Sequence, residues 1–157
     1  MKMKTDSPGP RYPALMHLLR TAENLWNASR SFFGRWDLSP SQFNVLNLLL
    51  EEPEGLSQVQ ISRQLVMHRS NVTGLIDRLE KRGLLGRHSS PGDRRAYRVI
   101  LTPAATDLLA QILPDYYRLA EEVWGELPVA RTTRLLADLS HLDTNLARLE
   151  EKLAATP

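Results

Sequence analysis

The chain has 157 residues, of which 42% are hydrophobic and 24% charged, the ordinary composition of about one globular domain with a real core. No apolar run approaches the roughly 18 residues of a membrane span, and residues 1–11 lack the apolar stretch of a secretory signal, which leads to the expectation of a cytoplasmic protein with no membrane partner. There is no cysteine, so disulfides, thiolate zinc sites and thiol redox switches are excluded. The net charge of +2 conceals an asymmetry: residues 56–102 hold nine Lys or Arg against three acids, a balance of +6, while the remainder holds 11 basic and 15 acidic residues, a balance of −4. A basic segment between acidic flanks is the pattern of a phosphate-facing surface.

Residues 1–11, with Pro8, Gly9 and Pro10, read as a mobile basic tail. From Tyr12, apolar residues recur at a spacing of three or four through Leu15, Leu18, Leu19, Ala22, Leu25, Trp26, Phe32 and Phe33, predicting a long amphipathic helix that ends near Gly34. Ser39, Pro40 and Gln42 form a capping box with proline in the first turn. They start a second helix over about 40–52, with Phe43, Leu46, Leu49 and Leu50 inward and Pro53 and Gly55 closing it. Ser57 and Gln60 repeat the capping box for a short third helix that buries Val59 or Ile61 with Leu65. A fourth helix, about 69–82, carries Val72, Leu75, Ile76 and Leu79 on one stripe and Ser70, Thr73, Gly74 and Asp77 on another, so that one face packs and the other is presented. Gly83 has the position of a helix-ending glycine.

Residues 84–88 and 97–101 then alternate as the strands of a hairpin, joined by a loop too long for a two-residue turn. Thr102 and Pro103 start a further helix, in which Pro114 removes one ladder bond and predicts a bend near residues 110–115. The last helix begins near Pro128 and spaces Leu135, Leu139, Leu142, Leu146, Leu149 and Leu153 as an unbroken a/d seam, which predicts a dimer. The predicted fold is mainly α with a small β-hairpin wing, a winged helix-turn-helix over 39–102 flanked by a helical dimerisation region, 12–38 and 103–157.

The blocks Leu79-Glu80-Lys81-Arg82-Gly83-Leu84, Asp93-Arg94-Arg95 and Leu101-Thr102 together resemble the MarR family of bacterial regulators, and the likeness extends over nearly the whole chain. The resemblance implies a homodimeric repressor or activator that binds a pseudo-palindromic double-stranded DNA operator. The helix after the turn would enter the major groove and the wing tip the minor groove. On this reading Arg69, Ser70, Asn71 and Thr73 stand where recognition helices contact bases, and short polar side chains suit close approach to base edges. Gly74 allows close approach to a phosphate, Arg94 contacts a phosphate, and Arg95 resembles the wing arginine that enters an A·T-rich minor groove. Asp93 resembles the acid that holds the wing by pairing with Arg78 or Arg95, and Asp77 and Arg78 read as local electrostatics rather than readout. His68 and Val66 stand where the family usually has a small capping residue and a small turn residue.

His17, His68, His88 and His141 are scattered without carboxylate partners, and no phosphate-binding or nucleophile motif is present, so neither a metal, a cofactor nor an enzymatic activity is expected. Many members of the family respond to small phenolic or anionic ligands. Arg20, Trp26, Phe33 and Phe43, with Tyr116 or Tyr117, are the residues from which such an effector pocket is expected. Two other readings of the basic winged helix are a nonspecific architectural DNA binder and a protein-interaction module. Salt-dependent, base-specific duplex binding separates them from a regulator.

Overall fold

The structure, a computed structural model, describes residues 9–155 except positions 66, 91 and 92, and at positions 90 and 93–96 describes the backbone alone. The chain forms two compact units, residues 1–110 and 111–157, with helix α5 (Pro103–Trp124) running through the division.

The first unit begins with α1 (Arg11–Phe33), so the helix takes in the last residue assigned to the tail; residues 1–8 of that tail lie outside the described residues. A short 3-10 turn over Gly34–Trp36 and Asp37 in the left-handed region (φ 53°) lead into α2 (Pro40–Leu50). The predicted capping box is formed: the Gln42 amide donates to Ser39 Oγ at 3.2 Å, and the Ser39 amide donates to Gln42 Oε1 at 2.8 Å. Phe43, Leu46 and Leu49 are buried as expected, but Leu50 is 37% exposed and Val45 is fully buried in its stead. The inward stripe centres on Leu46 and Leu49, and Leu50, the last residue of the helix, stands at its edge. The second box, Ser57 with Gln60, starts α3 (Gln58–Gln64), which buries Ile61 and leaves Val59 and Leu65 half-buried.

Helix α4 (Arg69–Lys81) packs Val72, Leu75, Ile76 and Leu79 against α2 and α3. Gly83, at φ +71°, ends it: its amide donates to the Glu80 carbonyl at 2.8 Å and the next amide, Leu84, reaches the Leu79 carbonyl at 2.9 Å. That pair of bonds reverses the chain. Strands β1 (Leu85–Ser90) and β2 (Asp93–Leu101) follow, antiparallel, with Leu85 opposite Leu101 and Ser89 opposite Tyr97. Here the structure differs from the expected long loop. Pairing resumes at Ser90 with Asp93 after a register shift, so the extra residues are absorbed as a bulge over 94–96 within β2 rather than in the connection. Leu56 adds a bridge on the other side of β2, its amide 3.0 Å from the Val99 carbonyl and its carbonyl 2.8 Å from the Val99 amide. Thr102 closes the hairpin and opens the next helix together: its hydroxyl donates to the Gly83 carbonyl at 2.7 Å and accepts from the Ala105 amide at 3.3 Å.

Helix α5 continues through Pro114 without interruption. Pro114 has no N–H for the Ala110 carbonyl, and the division between the units falls directly after Ala110. In the second unit α6 (Val129–Ala154) buries no residue: Leu142, Leu146, Leu149 and Leu153 are 45%, 53%, 48% and 64% exposed.

Candidate nucleic-acid interface

The buried stripe of α4 fixes which residues it presents. Arg69, Ser70, Asn71 and Thr73 are all exposed and Gly74 is partly so, hence the first two turns of the helix offer their polar face to solvent. His68 occupies the N-cap position without capping the helix, and its Nδ1 stands 2.9 Å from Ser70 Oγ. The Thr73 hydroxyl donates back to the Arg69 carbonyl at 3.0 Å and faces Gln58 Oε1 of α3 at 3.4 Å. Its single proton is thereby engaged, leaving lone pairs and a methyl group for a partner. An open cleft of about 330 Å3 lies along this face, lined by Ser41 of α2, Met67, and Ser70, Asn71, Gly74 and Arg78 of α4.

The hairpin, laid beside α4 by the Gly83 reversal, is tied to it by an ion-pair network that the sequence did not reveal. Arg87 of β1 donates to Glu80 at 2.6 Å and to Asp77, and its guanidinium lies 5.1 Å from the centre of the Tyr97 ring. The hydrogen bond to Asp77 raises the Arg87 pKa above its ordinary value, despite partial burial. Asp77 is thus a strut between helix and wing, in keeping with its reading as local electrostatics. Arg82 and Arg98 are likewise engaged with backbone: Arg82 donates to the carbonyls of Asp37 and Trp36 (3.2 Å to the latter), and Arg98 Nε donates to the Glu54 carbonyl at 2.7 Å. The one signal that could have exposed the Arg87 network is the helix-ending Gly83, since a reversal there lays residue 87 back alongside 77 and 80.

Of the basic residues in 56–102, Arg63, Arg69, Arg78 and Lys81 make no side-chain hydrogen bond or ion pair with another described residue, which leaves their charge to solvent. The side chains of Asp93, Arg94 and Arg95, expected to build the wing tip, lie outside the described residues, as does Val66. The pairing of Asp93 with Arg78 or Arg95 falls there too. The residues expected to form an effector pocket fall in both units. Phe33 and Phe43 are 1% exposed and stacked at 4.1 Å between ring centres, so they are packed core. Arg20 is exposed on α1, thirteen residues and about 20 Å of helix rise from Phe33. Trp26 is 36% exposed, and Tyr116 belongs to the second unit. Among the described residues no cluster of three His, Asp or Glu could hold a metal ion, and no helix is long and apolar enough to cross a membrane.

A presented helix after a turn, with a hairpin braced against its C-terminal half, defines a winged helix-turn-helix. The sequence profile of the MarR family matches residues 36–96. The HTH-type transcriptional regulator PapX of Escherichia coli is 32% identical over 124 residues, covering 75% of this chain and 76% of that protein. A MarR protein from Peptoclostridium difficile superposes with a TM-score of 0.81 at 20% identity, covering 98% of this chain and 97% of the other. BpsR of Bordetella bronchiseptica, whose DNA binding is regulated by 6-hydroxynicotinic acid, superposes with a TM-score of 0.72 at 28% identity over 81% of this chain and 91% of the other. The chain belongs to the MarR family, and it is a DNA-binding transcriptional regulator of the winged-helix type.

Proposed function

We propose that the protein is a sequence-specific homodimer that represses transcription from a pseudo-palindromic operator and is released by a small anionic aromatic ligand. The observation that carries the DNA reading is the two-faced character of α4: a buried apolar stripe opposite an exposed polar face of Arg69, Ser70, Asn71 and Thr73, with Gly74 partly exposed beside them. In the major groove Arg69, Ser70 and Asn71 read base edges, while Thr73 offers its methyl group, which suits a thymine. Arg94 and Arg95, in the bulged part of β2, take a phosphate and the minor groove respectively, with Asp93 supporting the wing.

Dimerisation is supported by the leucines of α6, exposed on the single chain at the spacing of a coiled-coil seam. Two copies related by a two-fold axis place two recognition helices one or more helical turns of DNA apart, which is why the operator is expected to be pseudo-palindromic. Protection of the DNA upstream of the protein's own coding sequence tests the reading. Two protected half-sites of related sequence are expected, and uniform protection that fades equally on all sequences as salt rises would establish a nonspecific binder instead.

Ligand release is supported by the likeness to BpsR and by Arg20, an exposed cation on α1 that suits a carboxylate. Trp26, half-exposed about two turns further along α1, is its aromatic candidate, whereas Phe33 and Phe43 are core. A tenfold loss of DNA affinity needs a ligand that favours the non-binding form by about 1.4 kcal/mol. Titration of a panel of benzoates and hydroxynicotinates against operator binding checks this. An equal response in Arg20→Ala would remove Arg20 from the site.

A further inference from the structure

Arg78 lines the α4 cleft with its guanidinium beside Gly74. A Cβ built on Gly74 would meet the Arg78 Nη1 at 3.4 Å, so the guanidinium lies back along the helix over the bare backbone one turn earlier. It makes no hydrogen bond or ion pair with another described residue. The acids nearest in sequence, Asp77 and Glu80, are both occupied by Arg87. The cleft wall opposite is Ser41, in the first turn of α2, and no carboxylate lines the space.

We propose that Arg78, laid over Gly74, holds a backbone phosphate of duplex DNA in the cleft between α4 and the first turn of α2. This rests on the DNA-binding reading above and gives Arg78 a direct contact in place of wing support. A phosphate rather than a base is favoured by position. The guanidinium lies at the level of Gly74, one turn beyond Ser70, in a cleft whose other wall is Ser41 of α2 rather than the N-terminal residues of α4 that meet the bases. A helix lodged in a major groove about 12 Å wide has a line of phosphates on either flank. The α2 side of the cleft supplies the Ser41 hydroxyl toward the same oxygen atoms. A Cβ at 74 would only touch the guanidinium, so alanine fits there, whereas a longer side chain such as leucine would take the volume that the guanidinium fills.

The test uses the full chain and a duplex that the wild type selects from a random pool, with affinity followed against potassium chloride. Arg78→Gln is expected to reduce the magnitude of the log–log salt slope by about 0.9 per bound protomer, with a comparable loss of affinity on the selected and on a scrambled duplex. Arg78→Lys should keep the slope, because a phosphate accepts a point charge. Gly74→Leu, checked for folding by circular dichroism, should lose the same increment of slope, and the double variant should lose no more. An unchanged slope in Arg78→Gln, or a loss confined to the selected sequence, would overturn the phosphate contact while leaving the regulator reading intact. Failure of the wild type to bind any duplex would overturn both.

Discussion

Replacing Arg87 by Gln removes the cation that ties the wing to the recognition helix. The guanidinium meets two carboxylates, Asp77 and Glu80, and lies over Tyr97; the side chains of Arg87, Asp77 and Glu80 are 29%, 46% and 35% exposed. Both acids are open enough to water that screened surface values apply, about 0.2–1 kcal/mol for each ion pair. The ring contact adds about 0.5 kcal/mol. The substitution should therefore cost about 1–2 kcal/mol, which in a domain of this size lowers Tm by roughly 2–8 °C. Because the pairs are exposed, the difference from wild type should shrink in high salt. The loss should also be local: amides of β1 and β2 should exchange faster, since the hairpin keeps its own ladder but loses its brace to α4. A double-mutant cycle with Asp77→Asn isolates the strut, with an expected coupling of at least about 0.5 kcal/mol. Strict additivity of the two single variants, or unchanged hairpin exchange, would refute the argument that this network positions the wing.

Charges placed at Leu142 and Leu146 should dissociate the proposed dimer, each losing about 2–5 kcal/mol of leucine burial and stranding an ion, and sedimentation should show monomer where the wild type shows dimer. Gly55→Ala should destabilise the fold by at least about 1–3 kcal/mol in denaturant titration, because Gly55 sits at φ +70° and a Cβ there would stand 2.4 Å from the Val99 carbonyl oxygen. Arg95→Ala should weaken binding chiefly through A·T-rich flanks, so replacing those flanks by G·C should matter for wild type and little for the variant. Ser70→Ala should instead relax base preference in the selected site, at about 1–3 kcal/mol of discrimination if Ser70 reads a base edge.

The local grammar of this chain was legible in its sequence. Ser39 with Gln42, Ser57 with Gln60, Gly83 and Thr102 each mark a helix end through contacts within a few residues, which spacing alone specifies. The two stripes of α4 were equally plain, because a 3.6-residue period assigns each side chain to a face without reference to the rest of the fold. Pairing across elements was not. Arg87 meets Asp77 and Glu80 only because the Gly83 reversal lays β1 beside α4, and Arg82 and Arg98 reach carbonyls at Trp36 and Glu54 that lie far away in the sequence. The charge count of residues 56–102 treated all nine basic residues alike, whereas folding engages Arg82, Arg87 and Arg98 within the protein and leaves Arg63, Arg69, Arg78 and Lys81 for solvent. Likewise Phe33 and Phe43, equivalent in the sequence to any aromatic at helical spacing, became core only when α1 and α2 met. Sequence spacing specified where each element begins, ends and turns its face; the three-dimensional arrangement decided which charges are engaged within the protein and which are left to solvent, because only there do distant partners come within reach of one another.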